Sequence, residues 1–174
     1  SNTAQIWVNQ PPVVSISPTS VTMDVGQSQI FTATAQYGTP GYSYQWYRNG
    51  SAVSGATSQT WTFTPSTPAY YLIYCIVTDS VGMTAQSNTA SARVNSAPTV
   101  SISPTSVTMY VGQSQTFISS ASGGTPPYTY QWYLNGSAVS GATSSSWTFT
   151  PATVAYYLVY VRVTDSVGVT AQSN

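Results

Sequence analysis

The sequence predicts an all-β protein made of two tandem antiparallel β-sandwiches of about 86 residues each. Three observations lead there. The chain repeats itself: PPVVSISPTSVTMDVGQSQ from Pro11 returns from Ala97 as APTVSISPTSVTMYVGQSQ, and QWYRNGSAVSGATS from Gln45 returns from Gln131 as QWYLNGSAVSGATS. YYLIYCIVTDSVG from Tyr70 likewise returns from Tyr156 as YYLVYVRVTDSVG, the offset is always 86, and about 62 of 86 paired positions are identical. Within each copy, short runs alternate apolar and polar residues with the period of a strand. Turn residues interrupt these runs every 8–12 residues or so, the spacing of a two-sheet sandwich. A unit of this length can bury a core of its own, which a solenoid repeat cannot.

The first copy shows the elements in order. A strand over 13–17 stops at Pro18, which has no N–H for a central ladder. A second covers about 21–25, before Gly26. A third, 29–36, ends at the breaker Gly38-Thr39-Pro40-Gly41. Over 42–48, Tyr42, Tyr44 and Trp46 share one face, and Ser43, Gln45 and Tyr47 the other. Asn49-Gly50 then supplies the two positive-φ positions of a type I′ hairpin turn. Trp61 and Phe63 share a face of the next strand, which Pro65 ends. Tyr71, Ile73, Cys75 and Val77 share a face of the longest strand, before the turn Asp79-Ser80-Val81-Gly82. A final strand runs from Met83 to Val94.

Composition excludes several functions. Charged residues are 3% of the chain, three Arg (Arg48, Arg93, Arg162) and three Asp (Asp24, Asp79, Asp165), with no Lys, Glu or His. Three scattered arginines cannot build a phosphate-binding surface, so no nucleic-acid partner is expected. The usual general bases and nucleophile activators are missing, so the chain reads as no enzyme and needs no cofactor or metal. No apolar run approaches the roughly 20 residues of a membrane-spanning helix. Hydroxyls stand where charge is missing: 28 Ser and 26 Thr.

Tyr44-Gln45-Trp46-Tyr47, with one inward Trp on its strand, resembles the core strand of immunoglobulin-like domains, and Tyr71 stands where such domains carry a tyrosine corner. Val77-Thr78-Asp79-Ser80-Val81-Gly82, with its copy at 163–168, resembles the F–G hairpin of PKD-type and bacterial Ig-like repeats. The chain as a whole is similar to tandem Ig-like/PKD-like modules of large archaeal or bacterial cell-surface proteins. That resemblance implies two Ig-like sandwiches at an extracellular location. One feature departs from immunoglobulin domains: with a single cysteine no internal disulfide can form, and Phe31 and Phe117 stand near the place of the first cysteine.

The repeat also sets boundaries: 1–11 as a half-strand of a preceding or neighbouring module, 12–95 as module 1, and 96–174 as module 2 with its last strand incomplete. Ser1-Asn2-Thr3-Ala4 matches Ser87-Asn88-Thr89-Ala90, and Ser173-Asn174 matches Ser87-Asn88. Three readings are open: a segment of a longer covalent array, a subunit donating Ile6, Trp7 and Val8 to the next copy by β-strand addition, or an arbitrary excision. The expected partner is self, head to tail, in either of the first two.

Other candidates are local. Asn49-Gly50-Ser51 and Asn135-Gly136-Ser137 fit the N-glycosylation pattern, and they equally fit the I′ turn. Tyr47, Tyr133, Tyr74 and Tyr160 phase outward as aromatic contacts for sugars or a protein partner. Cys75, replaced by Val161 in the second copy, reads as a buried hydrophobe. Asp79 and Asp165 read as turn residues accepting backbone N–H bonds. The functional expectation is a structural, self-associating segment of a surface fibre, filament or coat; the alternative is a carbohydrate- or protein-binding spacer of an adhesin or secreted enzyme, with glycans as partners.

Overall fold

A computed structural model describes residues 2–174, which form strands and turns without a helix. The chain divides into two compact units, Ser1–Val94 and Asn95–Asn174. Each is an Ig-like β-sandwich.

In the first unit, β1 (Val13–Ser17), β3 (Gln29–Gln36) and β6 (Thr60–Phe63) form one sheet in the order β1-β3-β6. The other sheet has the order β2-β9-β7-β4-β5, built from β2 (Ser20–Asp24), β9 (Ala90–Asn95), β7 (Ala69–Thr78), β4 (Ser43–Arg48) and β5 (Ser51–Ala52). A short strand, β8 (Thr84–Gln86), also pairs with β7. In immunoglobulin terms these are A-B-E facing A′-G-F-C-C′.

Between the sheets lie Phe31, Trp46, Phe63, Ile73, Cys75 and Val77, all essentially inaccessible to solvent. The Trp46 indole N–H, which cannot be buried unpaired without cost, donates to the Ser58 carbonyl at 2.9 Å. Phe31 packs 6.4 Å from Trp46, so ring packing stands where an inter-sheet disulfide would. The tyrosine corner is present in both units. Tyr71 Oη donates to the Thr67 carbonyl at 2.9 Å, and Tyr157 Oη to that of Thr153 at 3.0 Å.

The final strand differs from the expected continuous run over 83–94. It breaks into β8 and β9 at Ser87-Asn88-Thr89, because side chains there replace the ladder. Ser87 Oγ accepts the Cys75 N–H at 3.0 Å, and Asn88 Oδ1 accepts the Ile16 N–H of the opposite sheet at 2.8 Å. Both halves stay paired with β7, the register slipping by one residue at this bulge, and beyond it β9 runs between β7 and β2.

The second unit repeats the plan with β10 (Thr99–Ser103), β11 (Gln115–Ser122) and β14 (Ser146–Phe149) in one sheet. The other holds β13 (Ser137–Ala138), β12 (Thr129–Leu134), β15 (Val159–Thr164) and β16 (Thr170–Gln172), in that order. Trp132 takes the place of Trp46 at its centre. Two differences from the first unit matter. Residues 106–110, the counterpart of β2, form no strand, and β15 begins at Val159, the counterpart of Ile73, whereas β7 begins at Ala69.

Candidate functional site

Both differences mark one place. In unit 1, β9 inserts between β2 and β7 and buries Ala90 and Ala92 completely and Val94 to 3% exposure. Its register on β7 pairs Ala69 with Val94, Tyr70 with Arg93, Tyr71 with Ala92, Leu72 with Ser91 and Ile73 with Ala90. On its other side the Ser91 N–H donates to the Thr19 carbonyl at 3.0 Å. In unit 2, no strand among the described residues occupies this position. Residues 106–110 and 155–158, which flank that position, form no strand; Leu158 is held on its other side by Asn135, and the Tyr110 N–H by Gln113 Oε1.

What remains is an apolar groove of about 240 Å³ between these segments, floored by Val107, Met109, Phe117, Phe149, Tyr157 and Val159. It carries no charged residue. Met109 and Tyr157 are half-buried where Met23 and Tyr71 are buried, and Tyr156 and Leu158 stand 85% and 57% exposed on its rim. An open sheet edge over an apolar floor can accept one more strand, with main-chain bonds for affinity and alternate side chains for selection.

The expected donor residues lie in a segment without regular structure: Ile6, Trp7 and Val8 are 84–88% exposed. The next residues are anchored. Asn9 Nδ2 donates to Thr39 Oγ1 at 2.9 Å, and the Gly38 N–H to the Gln10 carbonyl at 2.9 Å. Unit 2 is entered identically, with Asn95 Nδ2 on Thr125 Oγ1 at 2.7 Å and the Gly124 N–H on the Ser96 carbonyl at 2.7 Å. Gly38 and Gly124 hold φ of +66° and +64°, and a Cβ on either would press on Pro12 or Pro98.

The tyrosines form pairs. Tyr47 and Tyr74 face each other across β4 and β7, with ring centroids 4.9 Å apart and planes 4° from parallel. Tyr133 and Tyr160 repeat this across β12 and β15 at 4.7 Å and 5°. The Arg162 guanidinium lies 5.2 Å from the Tyr133 ring centroid. All four tyrosines are half-buried.

Asn49 and Asn135 occupy hairpin tips with φ of 50°, each followed by a positive-φ glycine, as a I′ turn requires. Their Oδ1 atoms accept the Leu72 and Leu158 N–H groups at 2.8 Å, prolonging the ladder past its last paired residues. Cys75 is wholly buried, and burial pushes its thiol up to about 11. Asp79 accepts N–H bonds from Val81 and Met83 within its turn, and also from Thr39, 40 residues away. The Thr39 N–H above all, with those of Met83 and Val81, holds the carboxyl below its ordinary value against the opposing effect of burial. Asp165 repeats the bonds with Thr125, Val167 and Val169.

Sequence reading missed residues of the groove's lining, among them Val107, Met109 and Tyr156. The signal was present, since adding 86 to the positions that flank Ala90–Asn95 names these residues.

No protein-family model matches the chain. Over 147 residues, 78% of this chain, it is 31% identical to the highly immunogenic outer capsid protein of Enterobacteria phage T4. The chain spans 39% of that relative's length. Similar solved structures include the fibronectin(III)-like modules of Clostridium thermocellum CbhA, with a TM-score of 0.46 and 16% identity over 92% of this chain and 93% of that one. Another is the N-terminal four Ig domains of Dscam1 isoform 9.44, with a TM-score of 0.40 and 17% identity over 98% of this chain and 46% of that one.

Proposed function

We propose that this chain is a structural segment of an extracellular coat or fibre, in which Ig-like modules follow one another head to tail and join at sheet edges by β-strand complementation. The observation that carries this reading is the tandem repetition of one module: two Ig-like sandwiches, each with a central Trp and each entered through the same Asn–Thr and Gly–carbonyl bonds, follow one another at an offset of 86 residues. The 31% identity to a protein described as an outer capsid protein supports a place on a particle or cell surface. Surface chemistry supports it too. Three Arg against three Asp leave no net charge to oppose association, and no Lys or Glu guards an edge strand. In this reading the chain performs no chemistry of its own.

The rival role, a sugar- or protein-binding spacer, draws on the outward tyrosines. Each stack, however, spends one face of both rings on its partner, and Arg162 lies over Tyr133 as well. Such pairs serve better as cross-strand struts than as platforms for a sugar ring.

The test is electron microscopy of the undenatured material from its source, with its denatured mass. Filaments or coats of chains much heavier than 18.4 kDa would support a covalent array of these modules, and assemblies dissolving into 18.4 kDa chains would support noncovalent joining. Dispersed single particles that bind a glycan array would sink the structural reading.

A further inference from the structure

We infer that the polar cleft of unit 1 beside Arg48 binds a carboxylate-bearing sugar, of the kind a hexuronic acid residue presents. The site lies apart from the features the structural reading uses, and it stands whether or not copies of the chain assemble.

The cleft encloses about 480 Å³ between the β4–β5 hairpin and the chain at Ser66-Thr67, a volume in the range of small-molecule sites. Polar side chains dominate its lining: Arg48, Asn49, Ser51, Ser54, Ser66 and Thr67. Hydroxyl and amide walls of this kind match a ligand that carries hydroxyls of its own, whereas an apolar ligand would strand them without partners.

Arg48 closes β4, opposite Ile73 of β7, and its guanidinium lies 5.8 Å from the centroid of the Tyr71 ring. That contact engages the charge of the cation and none of its five N–H donors. Among the described residues those donors have no hydrogen-bond acceptor and no ion-pair partner, and the three carboxylates of the chain, Asp24, Asp79 and Asp165, are buried. A guanidinium held in this way offers its fork to a carboxylate, which accepts two parallel hydrogen bonds. One guanidinium also balances one negative charge, which suits a carboxylate better than the dianion of a phosphate monoester. Beside it, Asn49 Oδ1 is engaged by the Leu72 N–H at 2.8 Å, which fixes the amide and leaves its Nδ2 donors for a sugar hydroxyl. Thr67 Oγ1 is likewise fixed, 2.8 Å from Tyr71 Oη.

The repeat supplies its own control. Of the nine residues lining the cleft, seven recur unchanged 86 positions later. The two that do not are Arg48, replaced by Leu134, and Ser66, replaced by Ala152. The backbone there is kept, since Asn135 holds the Leu158 N–H as Asn49 holds that of Leu72. The sandwich therefore folds without the cation and without that hydroxyl, and both belong to unit 1 alone.

The experiment is a two-dimensional amide NMR titration of the 174-residue chain with sodium glucuronate, beside glucose, sodium acetate and sodium sulfate at matched ionic strength. Glucuronate is expected to shift signals of residues 48–54, Ser66, Thr67 and Tyr71, and none of their counterparts in unit 2. The dissociation constant should be on the order of 1 mM, as befits a small ligand in an open cleft. Glucose lacks the carboxylate and acetate lacks the hydroxyls, so each should bind at least about tenfold more weakly. Arg48→Leu brings in the residue that unit 2 already carries at this place, so the sandwich is kept, and glucuronate affinity should fall at least about tenfold. Arg48→Lys keeps the charge without the fork and should retain only part of the affinity. Glucuronate binding that survives Arg48→Leu, or shifts centred elsewhere, would overturn the inference. Acetate or sulfate binding as tightly as glucuronate would overturn the sugar in favour of a bare anion site, and glucose binding as tightly would overturn the role of the carboxylate. No shifts at a large excess of glucuronate over that constant would overturn the site itself.

Discussion

Replacing Tyr71 with phenylalanine removes one hydroxyl and leaves the ring where it is. The ring is held independently, edge-on to Phe63 at 5.1 Å and beneath the Arg48 guanidinium at 5.8 Å. The lost oxygen donates to the Thr67 carbonyl at 2.9 Å and lies 2.8 Å from Thr67 Oγ1. Thr67 is exposed, so water can take over its side of the bonds and no orphaned carbonyl is sealed in. The expected cost is therefore one to two ordinary hydrogen bonds, about 1–1.5 kcal/mol. In a domain of this size that lowers the melting temperature by roughly 4–10 °C. The second unit carries an internal control. Tyr157→Phe removes the same bond to Thr153, but Tyr157 is half-buried where Tyr71 is 8% exposed, so its loss should be smaller, about 0.5–1 kcal/mol. Calorimetry and urea titration of the full chain measure both, with unchanged m-values as the sign that only stability moved. Two results would refute the reasoning: a larger loss at Tyr157 than at Tyr71, or no measurable loss at either.

Two further outcomes are expected. Because the Asp79 carboxyl is held below its ordinary value of 3.8, its contribution is present above the unfolded value and lost as pH falls through the folded one. The melting temperature of unit 1 should thus stay level from pH 7 to about pH 5 and drop only below roughly pH 4, a drop that Asp79→Asn should flatten; a steep decline already between pH 7 and pH 5 would contradict this. Cys75 should resist thiol reagents in the native chain and react fully in denaturant, since burial raises its thiol to about 11. Cys75→Val should change stability by less than about 1.5 kcal/mol, because Val161 fills the same place in unit 2.

What the sequence revealed follows from the range of each interaction. Strands over 13–17, 29–36 and 42–48 could be read because alternation is local, and Trp46 and Tyr71 could be placed because phase on one strand decides inside from outside. The break at Ser87-Asn88 was invisible for the opposite reason. It depends on Asn88 reaching Ile16, 72 residues away, and the residues themselves are ordinary strand neighbours. Asp79 was readable as a turn residue, but its bond to Thr39 was not. The outward phase of Tyr47 and Tyr74 was legible, while their stacking depends on the register between β4 and β7, which no local pattern encodes.

The β2–β9 ladder of unit 1 also determines how the chain would bear load. Tension applied at the two ends of that unit enters near Pro12 and leaves near Asn95. β1, held to β3, follows the entry directly; β2 comes next and is held to the exit strand β9, so the β2–β9 bonds tie the entry side of the unit to its exit. Separating the ends requires breaking that tie as well as the β1–β3 ladder. Rupture force is set by the unfolding barrier and not by overall stability, so β2–β9 is the unit's mechanical fuse.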